Sequence, residues 1–385
     1  MIPRTLFSPE HDLFRDTARR FIAEEILPNY ARWESEGIVP RDVWLAAGRI
    51  GLLCPSVPEE YGGAGGDFLH HAVIIEEMAR VGAVAPTFYL HSDIIAPYLV
   101  HFGTEEQKKR WLPSMLSGEV VTAVGMSEPS GGSDLQNLRT SARLDGDDYV
   151  VNGQKVFITS GHAADLLVLA CRTNDKPGGK GVSLLLVETD TPGFHRGRKL
   201  EKIGCKAQDT SELFFSDMRV PRTNLLGEEG RGFYHLMTEL AQERLVQAVR
   251  AVASAEAAID WTLEYCRDRT MFGQTLADFQ NTRFVLAQLH SDVLAQRVLV
   301  DRCLELHVAG ELDSLDAAKV KMITTQLQGR VMDECLQLFG GWGYMTEYPI
   351  ARAFVDARMT RIGGGSIEVM KHMIGRELFR AARSS

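Results

Sequence analysis

From Glu10 to Gly118 apolar residues recur at the three-and-four spacing of a helix. Leu13, Phe14, Ala18, Phe21, Ile22 and Ile26 form one stripe, which Pro28 is expected to end. A second short helix is predicted over Val43–Ala47 and Ile50, closed before Pro55, and two more over His71–Ala79 and Ile94–Phe102. Thr104, three residues before Gln107, reads as the capping box of another. Near Val120 the period shortens. Tyr149–Ile158 predicts a hairpin with Asn152-Gly153 at its turn. Leu166–Ala170, Val182–Val187 and Glu212–Phe215 are strand-length apolar runs between Gly, Pro and Asp. After Gly227–Gly232 the helical period returns over Phe233–Arg267, Phe279–Ala309, Ser314–Phe339 and Ile367–Ala382.

The order is therefore helices, strands, helices. It predicts an α+β multidomain chain: an all-α N-terminal domain (1–119), a middle β-domain (120–230) and a C-terminal domain (231–385). Short strands in about a hundred residues suggest a compact β-barrel or sandwich for the middle. Four long helices on short connections predict an antiparallel four-helix bundle at the end. The sequence holds no internal repeat and no low-complexity segment.

A chain of 385 residues with 45% hydrophobic and 24% charged residues fits a globular protein of two or three domains. Its net charge of −9 argues against non-specific binding to nucleic acid or anionic membrane. The longest apolar runs are too short to span a bilayer, and no secretory signal opens the chain. The six cysteines form no CxxC pair and no cluster with metal-ligand spacing, so reduced core cysteines, no metal and a cytoplasmic location are expected. Gly62-Gly-Ala-Gly-Gly66 lacks both a preceding strand and the dinucleotide-loop spacing and reads as a surface turn.

Three stretches carry candidate chemistry. Ser127-Glu-Pro-Ser-Gly-Gly-Ser-Asp134 suits a loop whose amides face a polar ligand, although alone it reads as an ordinary turn. Glu239-Leu-Ala-Gln-Glu-Arg-Leu-Val246 opens a long helix, and Arg361-Ile-Gly-Gly-Gly-Ser-Ile-Glu-Val369 leads into the last one. In that second stretch Ser366 is a hydroxyl N-cap, with free amides suited to an anion. Helical neighbours of Glu243 include Leu236, Leu240 and Val246, but also Glu239, Gln247 and Arg250. That places it at the edge of an apolar stripe, where a Glu is ordinarily solvated.

Taken together, these stretches resemble the acyl-CoA dehydrogenase family, nearly end to end. The family's T-E-P-x-x-G-S-D and K-x-W-I-T-x-G segments match Ser127–Asp134 and Lys155–Gly161, with Ser127 for the usual Thr and Phe157 for the usual Trp. The resemblance implies FAD as cofactor, with Met126, Ser127 and Ser133 lining the flavin and Phe157, Ile158 and Thr159 packed against its ring. It also assigns Ser133 to the CoA portion of the ligand. Arg267–Gly273 with Phe279-Gln280 is similar to the R-x-x-F-G…Q segment, which makes Arg269 the contact of the cofactor diphosphate across a subunit interface, with Gln280 nearby and Phe272 a further cofactor-binding residue. Gln337, Gly340 and Gly341 match a Q-x-x-G-G that reaches a neighbouring subunit's FAD, and Ser366 and Glu368 match further FAD contacts. A homo-oligomer, by family habit a homotetramer, is thereby implied.

Desaturating a thioester requires a base for the α-proton and a cofactor to accept hydride. Most members carry the base in I-Y-E-G-T, which aligns with Ile362–Ser366 and has Gly364 at the Glu position. A minority resembling long-chain and isovaleryl-CoA dehydrogenases carry it in E-R-L on a helix. Glu243-Arg-Leu245 matches that pattern, so Glu243 is the expected base, Arg244 a candidate holder of CoA, and the Gly364 amide a donor to the thioester oxygen. Glu368 competes as a carboxylate, but its first-turn position explains it by the helix dipole.

The expected activity is α,β-desaturation of a fatty or branched acyl-CoA, with electrons passed to an electron-transfer flavoprotein. Two rivals stand beside it: an oxygen-using relative (acyl-CoA oxidase or flavin monooxygenase) and a non-catalytic acyl-CoA/FAD-binding protein.

Overall fold

The computed structural model describes residues 2–381. The first helix, α1 (Pro9–Phe21), begins at Ser8, whose hydroxyl accepts the His11 N–H. Pro28 does not end the helical path. The chain passes through two turns of altered pitch, Ile22–Ile26 and Leu27–Asn29, and resumes as α2 (Tyr30–Glu36). Pro28 falls in the first turn of such a segment, where a missing N–H costs little. Leu13, expected on the buried stripe, is exposed, and His11 and Arg15 are buried on that face instead. α3 (Arg41–Arg49), α4 (Phe68–Arg80), α5 (Ala96–Phe102) and α6 (Glu105–Ser117) complete the helical layer. The capping box at Thr104 and Gln107 forms as predicted.

Buried charges of this layer meet at Glu76. Fully buried Glu76 of α4 meets Arg4 at 2.7 Å, Arg15 at 3.0 Å and Arg297 at 2.8 Å. Burial alone would raise the Glu76 carboxyl, but the three guanidinium groups hold it down at about 2. His11, Asp67 and His70 lie close enough to suggest a metal site. Their hydrogen bonds explain the cluster without one. His11 Nδ1 accepts the Ser8 N–H at 3.1 Å and His70 Nδ1 the Asp67 N–H at 3.3 Å, each closing a helix cap.

The middle strands are β1 (Thr122–Gly125), β2 (Ser141–Asp145), β3 (Asp148–Thr159), β4 (Leu166–Arg172), β5 (Val182–Glu188), β6 (Phe194–Lys199), β7 (Thr210–Pro221) and β8 (Leu225–Leu226). They pair in the order β6-β7-β3-β2-β4-β5-β8, with β1 alongside β4. The path starts at β6 and ends at β8, so the sheet is open and the closed barrel expected from the strand pattern does not form. The reason lies in β4 and β5, which are buried on both faces. Leu167, Leu169, Leu185 and Val187 face the sheet's own core. Leu166, Val168, Leu184 and Leu186 instead pack against Leu99, Trp111, Leu112 and Met115 of α5 and α6. Their runs are therefore continuously apolar, as in strands covered on both sides.

The predicted hairpin at Asn152-Gly153 is also corrected. β3 runs unbroken through both residues, and the turn falls between β2 and β3, at Asp145–Asp148. Asn152-Gly153 marks a bulge against β7, where the Asn152 side chain bonds Asp217. A Cβ on Gly153 would lie 2.6 Å from the Thr140 backbone, so glycine serves close approach there rather than a turn.

The C-terminal part opens with α7 (Gly232–Asp268), an unbroken helix of 37 residues. A small ribbon, β9 (Thr270–Met271) and β10 (Gln274–Thr275), leads to α8 (Gln280–Val308), α9 (Ser314–Phe339), α10 (Pro349–Ala357) and α11 (Ile367–Ala381). α10 is absent from the sequence-based prediction, being too short for its period to stand out. The long helices share a core in which Ala248, Ala255 and Ala258 of α7 let its backbone approach α9 closely, beside Val249, Val331 and Cys335. All six cysteines are buried and unpaired, and no described helix is long and apolar enough to cross a membrane.

Candidate active site

Two elements far apart in sequence meet at one point. Gly364 lies in the loop before α11 with φ +64, a left-handed conformation that glycine adopts without strain. A Cβ built on it would stand 3.5 Å from Glu243 Oε1 and 3.4 Å from Gln247 Cγ. The position that lacks a carboxylate and the position that supplies one thus address the same space. Among the described residues the Gly364 N–H makes no hydrogen bond and remains free to donate.

Glu243 Oε2 is buried without a hydrogen-bond partner. Desolvation raises the Glu243 carboxyl above its ordinary value of 4.5, opposed by the positive charges of Arg244 and Lys321. A carboxylate poised in this way suits proton abstraction better than an ion pair would. The helical turn that carries it is pinned from the side. Gln242 Nε2 donates to the Asp93 carbonyl at 2.5 Å, and its Oε1 meets His307 Nε2 at 2.8 Å.

Of three further neighbours, Lys321 and Tyr98 escaped the sequence reading, which took Gln247 only as a helical neighbour of Glu243. Lys321 Nζ, on a fully buried side chain, donates to the Gly365 carbonyl at 2.5 Å and so fixes the glycine loop against α9. Its ammonium is pushed down to about 8, by burial first, with Glu243 opposing. Buried Tyr98 of α5 has a hydroxyl without a partner, and Glu243 and Glu239 are the charges it senses. Gln247 is buried with Oε1 unpartnered. Of these only Gln247 lies on α7, where an inward turn of the polar face would have flagged it; Tyr98 and Lys321 sit on α5 and α9. Arg244, by contrast, is buried in the bundle, bonding the Ser314 carbonyl at 3.1 Å and Met373 Sδ at 3.6 Å, with Nε unpartnered.

The Ser127–Asp134 loop is fastened to β3. Val156 N–H donates to the Ser127 carbonyl, and Lys155 Nζ bonds the Met126 carbonyl at 3.1 Å and Glu128 at 2.9 Å. Glu128 also accepts the Arg139 and Thr140 N–H groups. Burial would raise its carboxyl, but Lys155 and these amides hold it at about 2. The acidic residue of this motif therefore builds the loop rather than doing chemistry. Ser133 is exposed on it, and Met126 is half-buried.

Beyond the loop Phe157 stands out from the strand. Its φ is +61, at a register shift between β3 and β7, and its ring is 68% exposed. Ile158 beside it is buried and Thr159 half-buried. Gln208 Nε2 donates to Thr159 Oγ1, while Gln208 Oε1 and Ser211 Oγ are buried and unpartnered. An exposed flat ring next to unused buried hydrogen-bonding atoms fits a planar heterocycle such as an isoalloxazine. At the start of α11, Ser366 Oγ accepts the Val369 N–H, and Glu368 is exposed.

The remaining predicted contacts lie elsewhere. Arg269 and Phe272 sit on the ribbon after α7, Gln280 at the start of α8, and Gln337, Gly340 and Gly341 where α9 ends, all exposed. Arg269 is roughly 40 Å from Glu243 along α7 at about 1.5 Å per residue. One chain does not bring the two groups together. The ribbon end also exposes Phe272 at 90% and Tyr344 at 83%, with Trp342 and Met345 nearby in sequence.

Comparison with known proteins follows the same division of the chain. Family models described as the N-terminal, middle and C-terminal domains of acyl-CoA dehydrogenase match residues 8–119, 123–218 and 230–379. The chain is 48% identical to the mitochondrial long-chain specific acyl-CoA dehydrogenase of Sus scrofa, over 97% of this chain and 88% of that protein. It resembles an acyl-CoA dehydrogenase structure from Geobacillus kaustophilus at TM-score 0.96 and 48% identity, covering 98% of this chain and 100% of the other. It also resembles an acyl-CoA dehydrogenase from Bacillus anthracis solved with FAD, at TM-score 0.92 and 31% identity, covering 99% and 68%.

Proposed function

This chain belongs to the acyl-CoA dehydrogenase family of FAD-dependent oxidoreductases, and on that premise we propose that it desaturates a fatty or branched acyl-CoA with Glu243 as the base. The observation that carries this reading is the 3.5 Å approach of Glu243 Oε1 to the Cβ position of Gly364. Identity with dehydrogenases over nearly the whole chain sets aside the non-catalytic rival. Bound FAD supplies the hydride acceptor for the β-hydrogen.

The chain's own residues supply the rest. The Gly364 N–H, free in this structure, donates to the thioester oxygen and makes the α-proton more acidic. Glu243 takes that proton at its carboxylate. Lys321 holds the glycine loop in register with the base through the Gly365 carbonyl. Phe157, Ser127, Thr159 and Ile158 hold the flavin, with Met126 behind them. Ser133 contacts both cofactor and ligand, and Ser366 and Glu368 take the polar part of the cofactor. Arg244 sits close enough to Glu243 to tune it, and its unpartnered Nε is the atom left for the ligand.

Arg269, Phe272, Gln280, Gln337, Gly340 and Gly341 serve the FAD of a neighbouring subunit. Their distance along α7 from Glu243 and the exposed aromatic side chains at that end support a homo-oligomer, with a tetramer as the assembly we expect. The electron acceptor is an electron-transfer flavoprotein, a reading that rests on the family. Domain limits at 119/120 and 230/231, and a cytoplasmic location suggested by the reduced cysteines, belong to the same proposal.

Anaerobic bleaching of the oxidised flavin on adding a saturated acyl-CoA tests the activity, and steady turnover in air without another acceptor would favour the oxygen-using rival instead. The shared target of the two positions has its own test. The double variant Glu243→Gly with Gly364→Glu is expected to bleach at least about tenfold faster than Glu243→Gly alone, though below wild type, since Glu at φ +64 costs about 1–2 kcal/mol. A double variant as inactive as the single one would sink the idea of a common target.

Acidity gives a further test. The base acts deprotonated, so flavin reduction rises with pH through the Glu243 pKa, on a limb above the ordinary carboxylate range. Lys321 holds that pKa down, so Lys321→Met is expected to move the limb to higher pH. Stopped-flow reduction across pH checks both, and an unmoved limb would remove Lys321 from the electrostatics of the site.

A further inference from the structure

Gln247 follows Glu243 by one helical turn on the same face of α7. The Cβ position of Gly364 that lies 3.5 Å from Glu243 Oε1 lies 3.4 Å from Gln247 Cγ. The glutamine therefore borders the space that the base and the glycine loop share. It is 4% exposed, and its side-chain amide makes no hydrogen bond among the described residues, which leaves Oε1 buried without a donor. It does not turn back onto Glu243, whose Oε2 is unpartnered too.

Among the described residues four glutamines are buried, and they divide by location. Gln107 and Gln328, away from the site, have both amide atoms bonded: Gln107 to Thr104, Thr223 and Leu225, Gln328 to Ser254 and Thr360. The two with an unpartnered Oε1 are Gln208, near Phe157, and Gln247, beside the base. Leu245, Val246, Ala248 and Val249 around Gln247 are all core residues, so a leucine in its place would pack without an unmatched acceptor. Burial along α7 deepens towards it. Ala241, Gln242 and Glu243 are half-buried, whereas 244–253 are buried throughout. The CoA portion, with its phosphates, belongs on the accessible side. Gln247 thus stands beside the acyl chain, just past the reacting carbons.

We propose that Gln247 determines specificity by accepting a hydrogen bond from a hydroxyl on C4 or C5 of the acyl chain, so that the preferred substrate is a 4- or 5-hydroxyacyl-CoA rather than an unsubstituted one. This rests on the reading of Glu243 as the base and refines it to a substrate class. The shared approach to the Gly364 Cβ position keeps the amide within a few bond lengths of the reacting centre, beside C4 and C5 rather than the far end of the chain. Oε1 is an acceptor in need of a donor, which a hydroxyl supplies and a keto oxygen does not. The hydroxyl takes no part in the redox step. An unsubstituted chain leaves the buried acceptor unmatched.

The test compares kcat/KM for anaerobic flavin reduction by the FAD-loaded enzyme among octanoyl-, decanoyl- and dodecanoyl-CoA, their 4- and 5-hydroxy forms and their ω-hydroxy forms. At the length that fits, a 4- or 5-hydroxy member is expected to exceed the unsubstituted one by about tenfold or more, and the ω-hydroxy member is not. In Gln247→Leu the order should reverse, because an apolar side chain leaves the hydroxyl unmatched. A wild-type enzyme that prefers the unsubstituted chain at every length overturns the proposal. An ω-hydroxy member that gains as much as the 4- and 5-hydroxy ones does so as well. Both rankings are read on the wild type and decide even where the variant does not fold. Either outcome differs from failure of the underlying reading, in which no member of any series bleaches the flavin.

Discussion

Replacing Glu243 by Gln is expected to leave the fold and the bound flavin unchanged and to slow anaerobic flavin reduction by about a thousandfold or more, roughly 4 kcal/mol in barrier. The amide keeps the shape of the side chain but cannot take a proton. Other carboxylates do not stand ready to replace it. Glu239, one turn earlier, is engaged by His101 at 2.8 Å, and Glu368 is exposed in the first turn of α11. Ligand affinity should change little, because the buried Oε2 makes no hydrogen bond to lose. Titration of the flavin spectrum with a non-reducing acyl-CoA analogue separates binding from turnover. Reduction in this variant within tenfold of wild type would transfer the base role to another group.

A second large effect is expected far from the chemistry. Glu76→Gln should destabilise the fold by about 3–5 kcal/mol, because it leaves Arg4, Arg15 and Arg297 facing a buried neutral amide. The loss should show as a lower urea midpoint with unchanged slope. Its pH dependence follows from the depressed carboxyl. The stabilisation is fully present above about 4.5 and is lost as pH falls towards about 2, where the folded-state group protonates. Wild type and variant should therefore differ most near neutrality and converge in acid. A gap that stayed constant down to the lowest accessible pH would assign the effect to packing instead.

Long amphipathic helices were legible from the spacing of apolar residues, and α7, α8 and α9 lie within one or two residues of their predicted limits. The β-region was legible as strands but not as a sheet. Nothing in β4 or β5 says which covering each face receives, so a continuous apolar run is compatible with barrel, sandwich or a sheet packed on helices. Asn152-Gly153 misled because the pair that favours a tight turn also permits a bulge, and only the Thr140 backbone decides between them. Glu243 was found through a motif, not through periodicity. The period set it at the margin of an apolar stripe, since Glu239, Gln247 and Arg250 look like a solvated face until α4, α5 and α10 are laid over it. Lys321 had no local signature at all, because its partner is a carbonyl 44 residues away.

The unbroken course of α7 has a consequence for how this protein can change length. Glu243 owes its direction to an angular phase counted from Gly232, where a Cβ would strike the Ser183 backbone at 2.5 Å and so locks the helix onto the sheet. One residue inserted between those points would swing the carboxylate by about 100° around the axis, and even a near-integral insertion of two turns would carry it about 10 Å past Gly364. Insertions and deletions are thus confined to the loop ahead of the rod, at Gly227–Arg231, where they leave the dial setting of the base untouched.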